Sequence, residues 1–198
     1  MEEGSLSTIG HSNHNTYLFI HMLKENNINV VVDVRSTPYS KYVKEYNRED
    51  LINLLKGHNI NYIFMGDLLG AKIEDDSLLL DNGVLDFNKV TEQEFFKKGI
   101  KRVLKGIDKG YNISMMCAEK NALECHRFGL ISSYLSNKVT DIEITHIHPT
   151  GNKTQKEMEI MLIEKYSKKI DRLGVTTEMS ILEQALYLNN LDIGFCHN

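Results

Sequence analysis

The run Ile28–Val34, INVVVDV, is the stretch that most restricts the fold. It is rich in β-branched residues and shows no alternation of apolar with polar, so it predicts a strand covered on both faces rather than one with a wet side. Strands of that kind belong to parallel sheets, and parallel neighbours need crossover connections, usually helices. Ser36-Thr37-Pro38 follows, and the proline forbids further ladder pairing.

The rest of the chain supplies the alternation. Leu6–Ile9, Ile60–Met65, Tyr111–Met116 and Asp141–Ile147 read as further strands. Between them lie helical patterns: Leu18, Phe19, Met22 and Leu23 behind a cap at Asn13 or Asn15, then Leu51, Leu54 and Leu55 behind Asn47. Thr91-Glu92-Gln93-Glu94 matches a capping box before Phe96, Ile100, Val103, Leu104 and Ile107, with Gly110 as the stop. Asn121 and Glu124 open a helix carrying Phe128, Ile131, Tyr134 and Leu135. Gly66–Asn88 has no period and is expected to be a long functional loop.

Met158, Met161, Leu162 and Tyr166 share a helical face, Thr177–Leu188 offers another, and Asn189–Asn198 carries no signal. The expected fold is α/β, a three-layer, mainly parallel five-stranded sheet, Rossmann-like, with two additional C-terminal helices. A single domain over residues 1–198 is expected, with its core at about 6–150 and a helical extension at 151–190. The strand order does not follow from the pattern.

A net charge of −4 gives no overall field for nucleic acid. No secretory signal is evident at the N-terminus, and no apolar run approaches the ~18–20 residues that span a bilayer. Three cysteines without framework spacing suit a reducing compartment. A cytoplasmic protein that does not enter membranes is therefore expected.

In a parallel sheet the C-terminal strand ends share one edge, where ligands collect. That edge should hold His11 and Ser12, Asp33 and Arg35, Cys117 and Glu119, and His146 and His148. Cys117 is the candidate nucleophile, because a thiolate is reactive and nearby Arg35, Lys120 or Arg127 would lower its pKa. The competing reading is a small buried hydrophobe. Arg35 and Arg127 are candidates for a phosphate or carboxylate clamp, against a structural Asp33–Arg35 pair and a solvated Arg127. His11 or His126 would move protons, with Asp33 orienting one of them.

Cys125, His126 and Arg127 would fall about 100° apart around a helix, so all three should not face one ligand. Zinc is weighed on Cys117, Cys125, His126, His146 and His148, but no tight ligand spacing is present. No cofactor or metal is therefore expected. Tyr39, Tyr42 and Tyr46 interleave with Lys41, Lys44 and Arg48, as in a nucleotide or single-strand platform, or as a loop over the cleft.

The sequence resembles the bacterial and archaeal domain of unknown function 488. The resemblance rests on Thr8–Ser12, Val32–Ser40, Gly66–Gly70, Cys117–Lys120, Cys125–Arg127 and His146-Ile147, spanning about Leu6 to Ile147. It implies an α/β domain with signature residues at His11, Ser12, Asp33, Arg35, Pro38, Cys117, Glu119, Cys125, His126 and Arg127. It leaves the reaction open. The residues favour an enzyme for an anionic small molecule, nucleotide-like or phosphorylated, with Cys117, His11, Asp33, Glu119 and His126 in the chemistry and Ser12, Arg35, Arg127 and Tyr39 on the substrate. Two alternatives are a non-catalytic module for nucleotides or nucleic acid and a rhodanese-like sulfur-handling enzyme. The second lacks a glycine-bearing, arginine-ended cradle directly after its cysteine.

Overall fold

The computed structural model describes residues 4–173 and 179–196. A six-stranded sheet runs in the order β3-β2-β4-β1-β5-β6. Its strands are β1 (Leu6–Gly10), β2 (Val30–Asp33), β3 (Asn61–Phe64), β4 (Ile113–Cys117), β5 (Ile144–Ile147) and β6 (Lys153–Thr154). The first five pair in parallel, with Gly10 opposite Cys117 and Asp33 opposite Met116. β6 is an addition to the five expected strands, and it pairs antiparallel with β5.

The β2 valines show why the sequence lacks alternation. Val30 and Val32 enter one core with Phe96, Ile100 and Val103, and Val31 enters the opposite core with Phe19, Leu23, Leu51 and Leu55. Helices α1 (Thr16–Glu25) and α2 (Arg48–Lys56) therefore cover one face, and α5 (Glu94–Ile107) covers the other. This is the expected α/β, Rossmann-like sandwich.

A third apolar cluster joins Phe128 to Met158, Leu162 and Tyr166 of α7 (Gln155–Leu173) and to Ala185 of α8 (Ile181–Ile193). Residues 177 and 178 of the expected second C-terminal segment lie outside the described residues. α8 starts after a capping box formed by Ser180 and Glu183. Among the described residues, no helix is long and apolar enough to cross a membrane.

Three local expectations are corrected. Residues 66–88 are folded rather than an open loop: α3 (Gly66–Leu69), a 3-10 turn at Asp76–Leu78 and a bridge between Leu79 and Leu85 precede α4 (Phe87–Thr91). Short turns have no period to detect, but Leu78 and Leu85 are core residues. Thr91 ends α4 instead of capping α5, its hydroxyl donating to the Asn88 carbonyl oxygen. Asn189 and Asn190, expected in a featureless tail, are buried in α8.

Candidate functional site

Four chain segments meet at the C-terminal edge of β1, β2 and β4. The crossing after β1 depends on Gly10, where a Cβ would stand 1.9 Å from the Glu119 carbonyl oxygen. With glycine there, the chain after β4 closes over the end of β1. The amides of His11 and Ser12 then donate to the carbonyls of Cys117 and Ala118, at 3.0 and 2.8 Å.

Asp33 and Arg35 form a buried bidentate pair. Arg35 Nε and Nη2 donate to the Asp33 carboxylate at 2.9 and 2.6 Å, and Tyr62 Oη donates to the same group at 2.8 Å. Arg35 Nη2 also donates to the Tyr46 carbonyl oxygen, and Nη1 donates to His11 Nε2 at 3.0 Å. His11 Nδ1–H in turn donates to the Ser12 carbonyl oxygen at 2.8 Å. Its ring stacks on Tyr46, with centroids 4.3 Å apart. Burial, followed by the Arg35 charge, pushes the His11 pKa down to about 4, so the imidazole is neutral near pH 7.

Arg127 is 1% exposed. Its Nη1 donates to the Glu119 carbonyl oxygen at 2.8 Å and its Nη2 to that of Lys120 at 3.2 Å, while Nε has no hydrogen-bond partner. Both arginines of the expected clamp thus serve the protein's own oxygens first.

The thiols form a separate nest behind this edge. Asn121 caps a 3-10 turn, Ala122–Glu124, rather than a full helix. Cys125 is extended (φ −142°, ψ 142°), and a π-helical turn then runs over Arg127–Ser132 into α6 (Ser133–Lys138). That break overturns the expectation of three residues fanned about a helix. Cys117 Sγ and Cys125 Sγ each stand 3.8 Å from His126 Nδ1. His126 Nε2–H donates to the Val34 carbonyl oxygen at 3.2 Å, and the Arg127 amide donates to Cys125 Sγ at 3.5 Å.

The two thiols are unequal. A hydrogen bond with Cys125, together with burial, pushes the Cys117 thiol well up. Burial also opposes charge on Cys125, but the Cys117 hydrogen bond, Arg127 and His126 outweigh it and hold this thiol well below its usual range. Burial, then the Cys125 charge, raises the Glu119 carboxyl. Sequence reasoning gave Cys125 no catalytic role, because a helix over Cys125–Arg127 would not let all three residues face one ligand.

The remaining expected residues spread outward. Ser12 adopts φ 47° and its hydroxyl donates to Asn13. Tyr39 is exposed and donates to Glu49 at 2.7 Å, Tyr42 is exposed, and Tyr46 is core. His146 is buried between Thr8 and Gln155, at 2.9 Å from each. Lys120, His14 and His148 lie close enough at the rim that, after burial, the Lys120 charge depresses both imidazoles.

Residues 16–135 match the family described as Domain of unknown function DUF488. The chain belongs to the DUF488 family. The DUF488 match is narrower than the expected span: it contains Asp33, Arg35, Cys117, Glu119, Cys125, His126 and Arg127, and leaves His11, Ser12 and His146 outside. No curated protein and no solved structure matches the chain significantly. In this DUF488 chain the matched region thus carries the whole thiol nest and the Asp33–Arg35 pair.

Proposed function

We propose that the protein is an enzyme acting on a small anionic substrate at the C-terminal edge of the sheet, with Cys125 as its reactive thiolate. The observation that carries this reading is the environment of Cys125 Sγ. It receives the Arg127 amide at 3.5 Å and stands 3.8 Å from His126 Nδ1. A thiolate so held is the attacking form of cysteine.

Glu119, whose side chain is 44% exposed, connects the buried sulfurs with solvent and would exchange protons with an incoming group. The Lys120 ammonium at the rim favours a negatively charged visitor. Arg35, His11 and Asp33 act in this reading as the rigid floor of the site.

Paired alkylating reagents test it. Iodoacetate is an anion and iodoacetamide is neutral, and Cys196, an exposed cysteine remote in sequence from the nest, is an internal reference. The ratio of the two alkylation rates, read by peptide mass spectrometry, should favour iodoacetate at Cys125 over Cys196, and the preference should shrink with salt. An equal ratio at the two cysteines overturns the anionic-substrate reading.

A further inference from the structure

Among the described residues, one group of side chains brings three metal-ligating atoms together. Cys117 Sγ, Cys125 Sγ and His126 Nδ1 all lie within 4.8 Å of one another. Three features of this geometry go beyond what a buried polar cluster requires.

First, the two sulfurs stand at the same 3.8 Å from a single nitrogen. One imidazole lone pair satisfies one S–H donor, yet two sulfurs converge on it. Tetrahedral coordination with Zn–S near 2.3 Å and Zn–N near 2.0–2.1 Å places sulfur and nitrogen ligands about 3.6 Å apart, close to the spacing observed. Second, the outer nitrogen of His126 is already committed, Nε2–H donating to the Val34 carbonyl oxygen at 3.2 Å. That bond leaves Nδ1 as the free lone pair facing the sulfurs, as a backbone carbonyl does for metal-bound histidines in general. Third, the Arg127 amide donates to Cys125 Sγ, a partner suited to a thiolate that keeps its charge.

We infer that Cys117, Cys125 and His126 bind one divalent transition-metal ion of the zinc class. Three protein ligands leave a fourth position for water or another ligand. Binding displaces to solvent whatever thiol protons remain on Cys117 and Cys125 and leaves both sulfurs as thiolates. The sequence lacks the tight ligand spacing of common zinc motifs, and the extended backbone at Cys125 lets the fold bring these three residues together without it. This inference goes beyond the proposed enzyme reading, because it makes ligands of both sulfurs and sets metal and electrophile in competition for them.

The test uses the full-length protein, reduced and stripped with a chelator, then titrated with Co2+ and afterwards with Zn2+. One equivalent of Co2+ should produce thiolate-to-cobalt charge transfer and the visible bands of a tetrahedral site, and Zn2+ should bleach them. Cys125→Ser and His126→Ala should each weaken binding by about tenfold or more, and Cys196→Ser should bind as the parent does. A substitution in this core can prevent folding, so the wild-type protein provides a second readout. Zn2+ should slow alkylation of Cys117 and Cys125 and leave Cys196 unaffected. Absence of charge transfer at stoichiometric Co2+, or alkylation rates indifferent to Zn2+, overturns the metal site. An iodoacetate preference at Cys125 with no metal effect would leave the enzyme reading standing alone. Metal binding without that preference would do the reverse.

Discussion

Arg35 and His11 are joined by a 3.0 Å hydrogen bond in which the guanidinium donates and the imidazole accepts. Such a bond exists only while His11 Nε2 is unprotonated, and Nδ1–H is already spent on the Ser12 carbonyl oxygen. The floor of the site therefore has a protonation state built into it, and acid should attack it there.

Burial holds His11 at about 4, helped by Arg35, and burial likewise holds His146 at about 4, both from an ordinary 6.5. The unfolded chain protonates these rings first as pH drops. Their contribution is complete above pH 6.5 and is lost progressively as pH falls from 6.5 to 4. Each shift corresponds to about 3 kcal/mol. Urea unfolding across this window should show stability falling with acid, and His146→Gln should flatten the slope.

Asp33→Asn would leave Arg35 buried with its strongest counter-charge removed. Breaking one side of a buried pair costs roughly 3–5 kcal/mol. For a chain of this size that is a drop in Tm on the order of 10 °C, measurable by thermal melting.

Gly10→Ala should be disproportionately harmful for one methyl group. Its Cβ would meet backbone, the Glu119 carbonyl oxygen, which cannot swing aside as a side chain would. A loss of about 1–3 kcal/mol is expected, with faster alkylation of Cys117 as the chain after β4 lifts. Unchanged thiol protection would count against this close approach as the fastening of the edge.

Asn190→Ala should unfasten α8. The side chain accepts from the Phe87 amide at 2.9 Å and donates to the Leu85 carbonyl oxygen at 2.7 Å. Truncation strands two buried backbone groups at about 1–3 kcal/mol each. Hydrogen exchange at residues 85–87 should accelerate.

Much of this fold is legible in the sequence because its signals are local. The β-branched run at Val30–Val32 announces burial on both faces, and those valines do divide between two cores. Asp33, Arg35 and Cys117 are readable as edge residues once the strands are placed. Cys125 is not, since Asn121 and Glu124 imitate a helix start, while the extended turn at Cys125 is held by contacts made across the fold. The buried amides of α8 are illegible for the same reason. Asn189 donates to the Leu123 carbonyl oxygen and Asn190 to that of Leu85, partners far away in the chain.

β6 has two residues, both exposed, and one of them is Lys153. A parallel core that ended at β5 would offer a full row of unused amides and carbonyls to a passing chain. The short antiparallel stub reverses direction, covers part of that row and sets an ammonium group at the margin. Sheet-to-sheet zippering on that side is discouraged without a helix being spent as a guard.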